Sequence, residues 1–141
     1  MKAEWIEIKR DDVPPQHAGL RVSMNKEGKI VINRAGYKML GSPKAFKLLF
    51  DKVNSRIGLR PTAPGLSNAY PALKSNRFGA KMVRAFRLMR EHRVILPKTV
   101  EFPDACVDDT GMLVLDLRTA VVSRRALGYE KRRKEVKRQQ E

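Results

Sequence analysis

The chain has 141 residues, 16.1 kDa and 42% apolar content, which suits one domain with a core large enough to fold without staples. A single Cys and two His exclude an intramolecular disulfide and a zinc finger, and no apolar run approaches the ~20 residues that span a bilayer. Thirty Lys and Arg against 15 Asp and Glu leave a formal net charge of +15, a self-repulsion that points to a polyanionic partner.

The N-terminal stretch MKAEWIEIKR has no apolar segment of the secretory kind, so a cytoplasmic protein is expected. Residues 3–9 read as a short strand, ended by Asp11-Asp12-Val13-Pro14-Pro15 because consecutive prolines remove ladder donors. Leu20–Met24 and Lys29–Ile32 read as strands joined by Asn25-Lys26-Glu27-Gly28, where Gly28 is free to take positive φ. Ala35–Leu40 reads as a short helix stopped by Gly41, with Pro43 beyond. Ala45–Phe50 and Arg56–Leu59 form a second predicted hairpin around Asp51–Ser55, closed by the loop from Arg60 to Gly65. The core expected from these spacings is Ile30, Ile32, Leu40, Phe46, Leu48 and Leu49.

Prolines crowd the next stretch, and a linker is expected over 63–76. Arg77–His92 reads as the strongest helix, capped by Ser75 or Asn76. Phe78, Met82, Ala85, Phe86 and Met89 share one side, while Arg77, Lys81, Arg84, Arg87 and Arg90 occupy the other. Val94–Leu96 and Met112–Leu117 read as strands, the second after a turn at Asp108-Asp109-Thr110-Gly111. From Arg124 the chain is almost wholly polar. The predicted fold class is α+β: a β-hairpin unit over 1–62, the linker, a helix with short strands over 77–123 packed on the first unit, and a basic tail over 124–141.

Charge is segregated along the chain, with a net of +7 over 1–73, +6 over 74–93, −4 over 94–117 and +6 over 118–141. The acidic segment is expected to face its basic neighbours. Signs of catalysis are poor. His17 lies beside a Pro-Pro-Gln loop, and His92 suits a helix C-terminus as a cation. Cys106 sits among Asp104, Asp108 and Asp109, with no cation placed to activate it, and reads as a half-buried packing residue. Those aspartates are not spaced as a calcium loop, and no phosphate-cradling glycine motif occurs. No enzyme activity, cofactor or metal is expected.

One segment carries more. Residues 28–41 run Gly-Lys-Ile-Val-Ile-Asn-Arg-Ala-Gly-Tyr-Lys-Met-Leu-Gly, and a hairpin ending Ile57-Gly58-Leu59-Arg60-Pro61 follows. This resembles the AbrB/SpoVT swapped-hairpin family over roughly residues 20–62, with Gly28, Lys29, Ile30, Val31, Ile32, Leu40 and Gly41 in place without a gap. Asn33 stands where that family usually has Pro, Gly36 where it has an apolar helix residue, and Tyr37 replaces an expected Arg while Lys38 keeps the adjacent charge. A fainter echo at 93–117, beginning Arg93-Val94-Ile95-Leu96-Pro97-Lys98, lacks helical periodicity before its second strand and reads as coincidence.

The resemblance implies an intertwined homodimer and a DNA-binding transcriptional regulator. Its cations at matching positions are Lys29, Arg34 and Lys38, with Arg21 and Lys26 on the preceding strand and turn. Arg77, Lys81 and Arg84 add a second set on the expected helix. An RNA-binding or ribosome-associated accessory protein accounts for the same charge, as does an antitoxin-like adaptor that wraps a protein partner with its tail. An aromatic content of 6% is too low for a base-stacking platform. DNA is the expected ligand, and no membrane partner is expected.

Overall fold

A computed structural model describes residues 3–7 and 19–123. The first hairpin pairs β1 (Val22–Met24) with β2 (Lys29–Ile32), Val22 opposite Ile32 and Met24 opposite Ile30. Asn25 sets the turn, its Oδ1 accepting from the N–H groups of Glu27 and Lys29, with Gly28 at φ +89°. Asn33 then does what a proline could not. Its Oδ1 accepts from Gly36 N–H at 3.0 Å, capping α1 (Arg34–Met39), and from Arg21 N–H at 2.9 Å. Its Nδ2 donates to the Gly19 carbonyl at 2.7 Å, and its backbone N–H donates to the Arg21 carbonyl. A Cβ on Gly36 would lie 2.4 Å from the Leu20 Cδ1 and 2.7 Å from that capping oxygen. Two of the departures from the swapped-hairpin pattern, Asn33 and Gly36, therefore serve one local tie between α1 and the start of β1.

The second hairpin pairs β3 (Ala45–Asp51) with β4 (Arg56–Thr62). Asp51 organises its turn: the Asn54 amide and the Arg56 guanidinium donate to Oδ2, and the Val53 and Asn54 N–H groups donate to Oδ1. These bonds, the Asn54 side chain's first, hold the carboxyl well below the ordinary range. A depressed folded pKa contributes stability above the unfolded value and loses it as pH falls. The expected result is a Tm that drops as pH falls below about 4, with a shallower drop in Asp51→Asn. Equal acid slopes for the two proteins in thermal melts would show that the turn network contributes nothing.

The remaining elements are β5 (Ala69–Pro71), β6 (Leu73–Lys74), β7 (Lys81–Arg84), α2 (Phe86–His92), β8 (Val100–Glu101), β9 (Cys106–Val107), β10 (Leu113–Asp116) and β11 (Val121–Val122). One sheet runs β11-β8-β1-β2-β7-β6 and the other β5-β3-β4-β10-β9, with every pairing antiparallel. Among the described residues, two sheets and two short helices make a β-dominated α+β fold. The inner faces meet in one core: Met24, Ile30, Ile32 and Val83 from the first sheet, Phe46, Ile57, Leu59, Leu113 and Leu115 from the second, closed by Leu40, Ala85, Leu88 and Met89.

Several expectations change. Residues 3–7 have no regular structure, and Trp5 and Ile6 are exposed rather than placed on a strand. The helix expected from Arg77 begins only at Phe86. Lys81–Arg84 is a strand because β2 offers it a hydrogen-bonding edge and Val83 an inward place opposite Ile30. Residues 63–76 hold two strands, β5 and β6, that extend both sheets. Leu49 lies on the outer face of β3, one residue out of step with Phe46, Leu48 and Phe50. Cys106 is exposed on β9. The 124–141 tail, His17 and the Asp11–Pro15 stretch lie outside the described residues.

The two sheets repeat one plan. β1–β2, α1 and β3–β4 come as hairpin, helix, hairpin, and so do β6–β7, α2 and β9–β10, with β8 inserted between α2 and β9. β2 meets β7 in the interior of one sheet and β4 meets β10 in the interior of the other. Both leading turns read Asn-x-x-Gly: Asn25 to Gly28 and Asn76 to Gly79, each with an Asn Oδ1 accepting two backbone N–H groups. Each glycine has positive φ and seats against the first residue of the other half's helix. A Cβ on Gly28 would lie 2.8 Å from the Phe86 nitrogen, and one on Gly79 3.0 Å from the Arg34 Cγ. Residues 20–62 and 73–116 are thus halves related by an approximate two-fold, and the echo at 93–117 is out of step with it.

Candidate nucleic-acid interface

The β2–β7 register decides where the cations go. Ile30, Ile32 and Val83 point into the core, so Lys29, Val31, Met82 and Arg84 point out. Lys29 stands directly opposite Arg84, and both are exposed. Among the described residues neither side chain has a carboxylate within 4.0 Å. Like charges facing each other across a ladder are destabilising. The arrangement offers two cations to one anion, beside Val31, Met82 and Ser23 in the middle of the sheet.

A second group gathers at the other end of β2. Arg34 opens α1 and packs along Gly79. Lys38 is one turn further on and exposed. The Lys81 Nζ lies 5.6 Å from the Tyr37 ring centroid, and Lys81 pairs with Lys74 across the β6–β7 hairpin. The Arg77 Cζ lies 4.9 Å from the Phe78 ring centroid at the tip of that hairpin. Arg34 and Lys38 are thereby joined to Arg77 and Lys81, far apart in sequence. Lys26 stays apart, at the β1–β2 turn beside the start of α2, and Arg21 lies at the Asn33 tie before β1. Lys81 pairs with Ile32 and so falls on the inward side of the sheet, at its α1 end, whereas Lys29 and Arg84 face out; the two groups are separate basic centres roughly 10 Å apart along β2.

The outer face of the second sheet differs. Lys47 opposes Arg60 there, but Arg56 is bound to Asp51 at 2.8 Å and Arg118 to Asp116 at 3.6 Å. Asp108 is held below the ordinary carboxylate range, chiefly by the Thr110 hydroxyl and also by nearby Arg60. Positive charge is offset by acids on this side and accumulates on the other.

Sequence reasoning missed Lys74 and Phe78. The repeated Asn-x-x-Gly was the available signal, because it marks 75–80 as a hairpin turn like 25–28. His92 stacks on Phe50 with centroids 4.4 Å apart. Beside it a shallow cavity of about 320 Å³ between α2 and β3 holds Tyr70, Arg87 and Glu91, with Arg87 bonded to Glu91 at 2.9 Å. Among the described residues no group of three or more His, Cys, Asp or Glu is placed to hold a metal ion, and no helix is long and apolar enough to cross a membrane. In comparisons with family models, curated proteins and solved structures, nothing matched the chain.

Proposed function

We propose that this protein binds nucleic acid through the outer face of the β1–β2–β7–β6 sheet and the adjoining α1, with duplex DNA as the ligand of a swapped-hairpin type of regulator. The observation that carries the reading is the exposed Lys29–Arg84 pair, two cations held opposite each other with no carboxylate within 4.0 Å among the described residues. The hairpin–helix–hairpin order supports the swapped-hairpin part. The seam that such a unit would close with a second subunit is here closed by β7 and β10 of the same chain, so the proposed binding unit is a single chain. Contacts of this kind set affinity and position on the phosphate backbone.

The test is fluorescence anisotropy on duplex DNA, single-stranded DNA and structured RNA over a salt series. Four to five phosphate contacts should give a slope of log K on log salt near −4 for duplex DNA. Lys29→Ala combined with Arg84→Ala should reduce its magnitude by about 2, with Tm unchanged or slightly raised. An unchanged slope would move the binding face elsewhere. Tighter binding of structured RNA than of duplex would replace DNA by RNA, and no binding at low salt would overturn the reading.

A further inference from the structure

The core does not account for the ring at the tip of the β6–β7 hairpin. Phe78 is 66% exposed, although its helical spacing in the sequence suggested an inward place. The turn that carries it is fixed at both ends. The Asn76 Oδ1 accepts from Phe78 N–H at 2.9 Å and from Ala80 N–H at 3.2 Å, and Ser75 N–H donates to the Ala80 carbonyl at 3.0 Å. Gly79, at φ +96°, seats the turn on Arg34. The backbone that carries the ring is therefore fixed, and the ring itself stands in water. Leaving a large aromatic side chain exposed forgoes the free energy of burying it.

Its surroundings indicate what covers it. The Arg77 guanidinium lies over the ring at 4.9 Å, Lys74 and Lys81 stand at the base of the same hairpin, and Arg34 and Lys38 lie on the helix the turn touches. A flat apolar face under one guanidinium, on a hairpin that carries further cations, complements a flat base between phosphates. A duplex offers no base face without unstacking, which costs a few kcal/mol per step, whereas an unpaired base offers one freely. One ring serves one base, so this is a single stacking point and not a platform.

We propose that Phe78, with Arg77 behind it, stacks an unpaired nucleobase of the bound strand while the neighbouring cations hold its phosphates. The inference rests on the nucleic-acid reading above and names the feature of the ligand that is recognised. It is tested with three DNA duplexes: one with a single unpaired adenine, one with an abasic site in that position, and one fully paired. Wild type should bind the bulged duplex about 5- to 150-fold more tightly than the other two. Phe78→Leu keeps an apolar side chain but removes the π-face, and should bring the three affinities together without changing the fully paired duplex. In a Trp5→Phe, Phe78→Trp chain, the single indole should be quenched by the bulged duplex and not by the abasic one. Equal binding of all three duplexes by wild type, with its salt dependence intact, would overturn the stacking role alone, as would a preference that survives in Phe78→Leu. No binding of any duplex at low salt would remove the nucleic-acid reading and the stacking role together.

Discussion

Phe46→Ala should destabilise the protein by about 3–5 kcal/mol. The ring is fully buried on β3 and belongs to the core shared by the two sheets. The walls around it are ladders of paired strands, which cannot close in on an emptied site without breaking hydrogen bonds. The cost is therefore transfer of the ring plus most of the cavity term. Leu49, three residues on and on the opposite face of the same strand, is the matched control: Leu49→Ala should stay within about 0.5–1 kcal/mol. Urea unfolding with unchanged m-values checks both. A Phe46→Ala loss below about 1 kcal/mol would mean that the sheets can slide together to fill the gap.

The second large effect is expected at a residue with no side chain. Gly28→Ala forces a Cβ to 2.8 Å from the Phe86 nitrogen and 2.9 Å from its Cα, and places alanine at φ +89°. The backbone conformation alone costs on the order of 1–3 kcal/mol, and the neighbour is main chain that cannot rotate away. The Ala85 N–H donates to the Gly28 carbonyl at 2.7 Å, so the clash is delivered straight to the start of α2. Gly41→Ala provides the comparison: it shares a positive φ of +85° but a Cβ there meets nothing within 4 Å. Gly28→Ala should lower the thermal midpoint by clearly more than Gly41→Ala. Equal losses would show that the turn and α2 are not rigidly packed.

Local chemistry made the first half legible. Asn25 with Gly28, Asn33 before a helix, Gly41 after it and Asp51 in a tight turn each state a backbone conformation that the structure then uses. The second half was misread where two periods coincide. In Lys81-Met82-Val83-Arg84 the apolar pair fits a helix running on to Met89 as well as it fits a strand, and what settles the matter is the edge of β2, which lies about fifty residues earlier. The short β5 and β6 are equally dependent on partners, being two or three residues each among prolines. For the candidate site, the residue types were visible but not their grouping. Arg34 meets the 75–80 turn only because Gly79 brings that turn onto α1.

The order in which the two halves leave the ribosome matters for how the chain reaches this state. β2 waits for β7, with Lys29 paired to Arg84, and β4 waits for β10, with Ile57 paired to Leu115. Until those residues arrive, the first two hairpins present open edges above an apolar face, the condition in which nascent sheets join wrong partners. Pairings at such separation also slow the search, because the loop must close before either ladder gains its bonds; folding times in the millisecond-to-second class follow from that topology. The exposed cation at 29 puts like charge on the open β1–β2 edge, which disfavours pairing of two bare copies of that hairpin during synthesis.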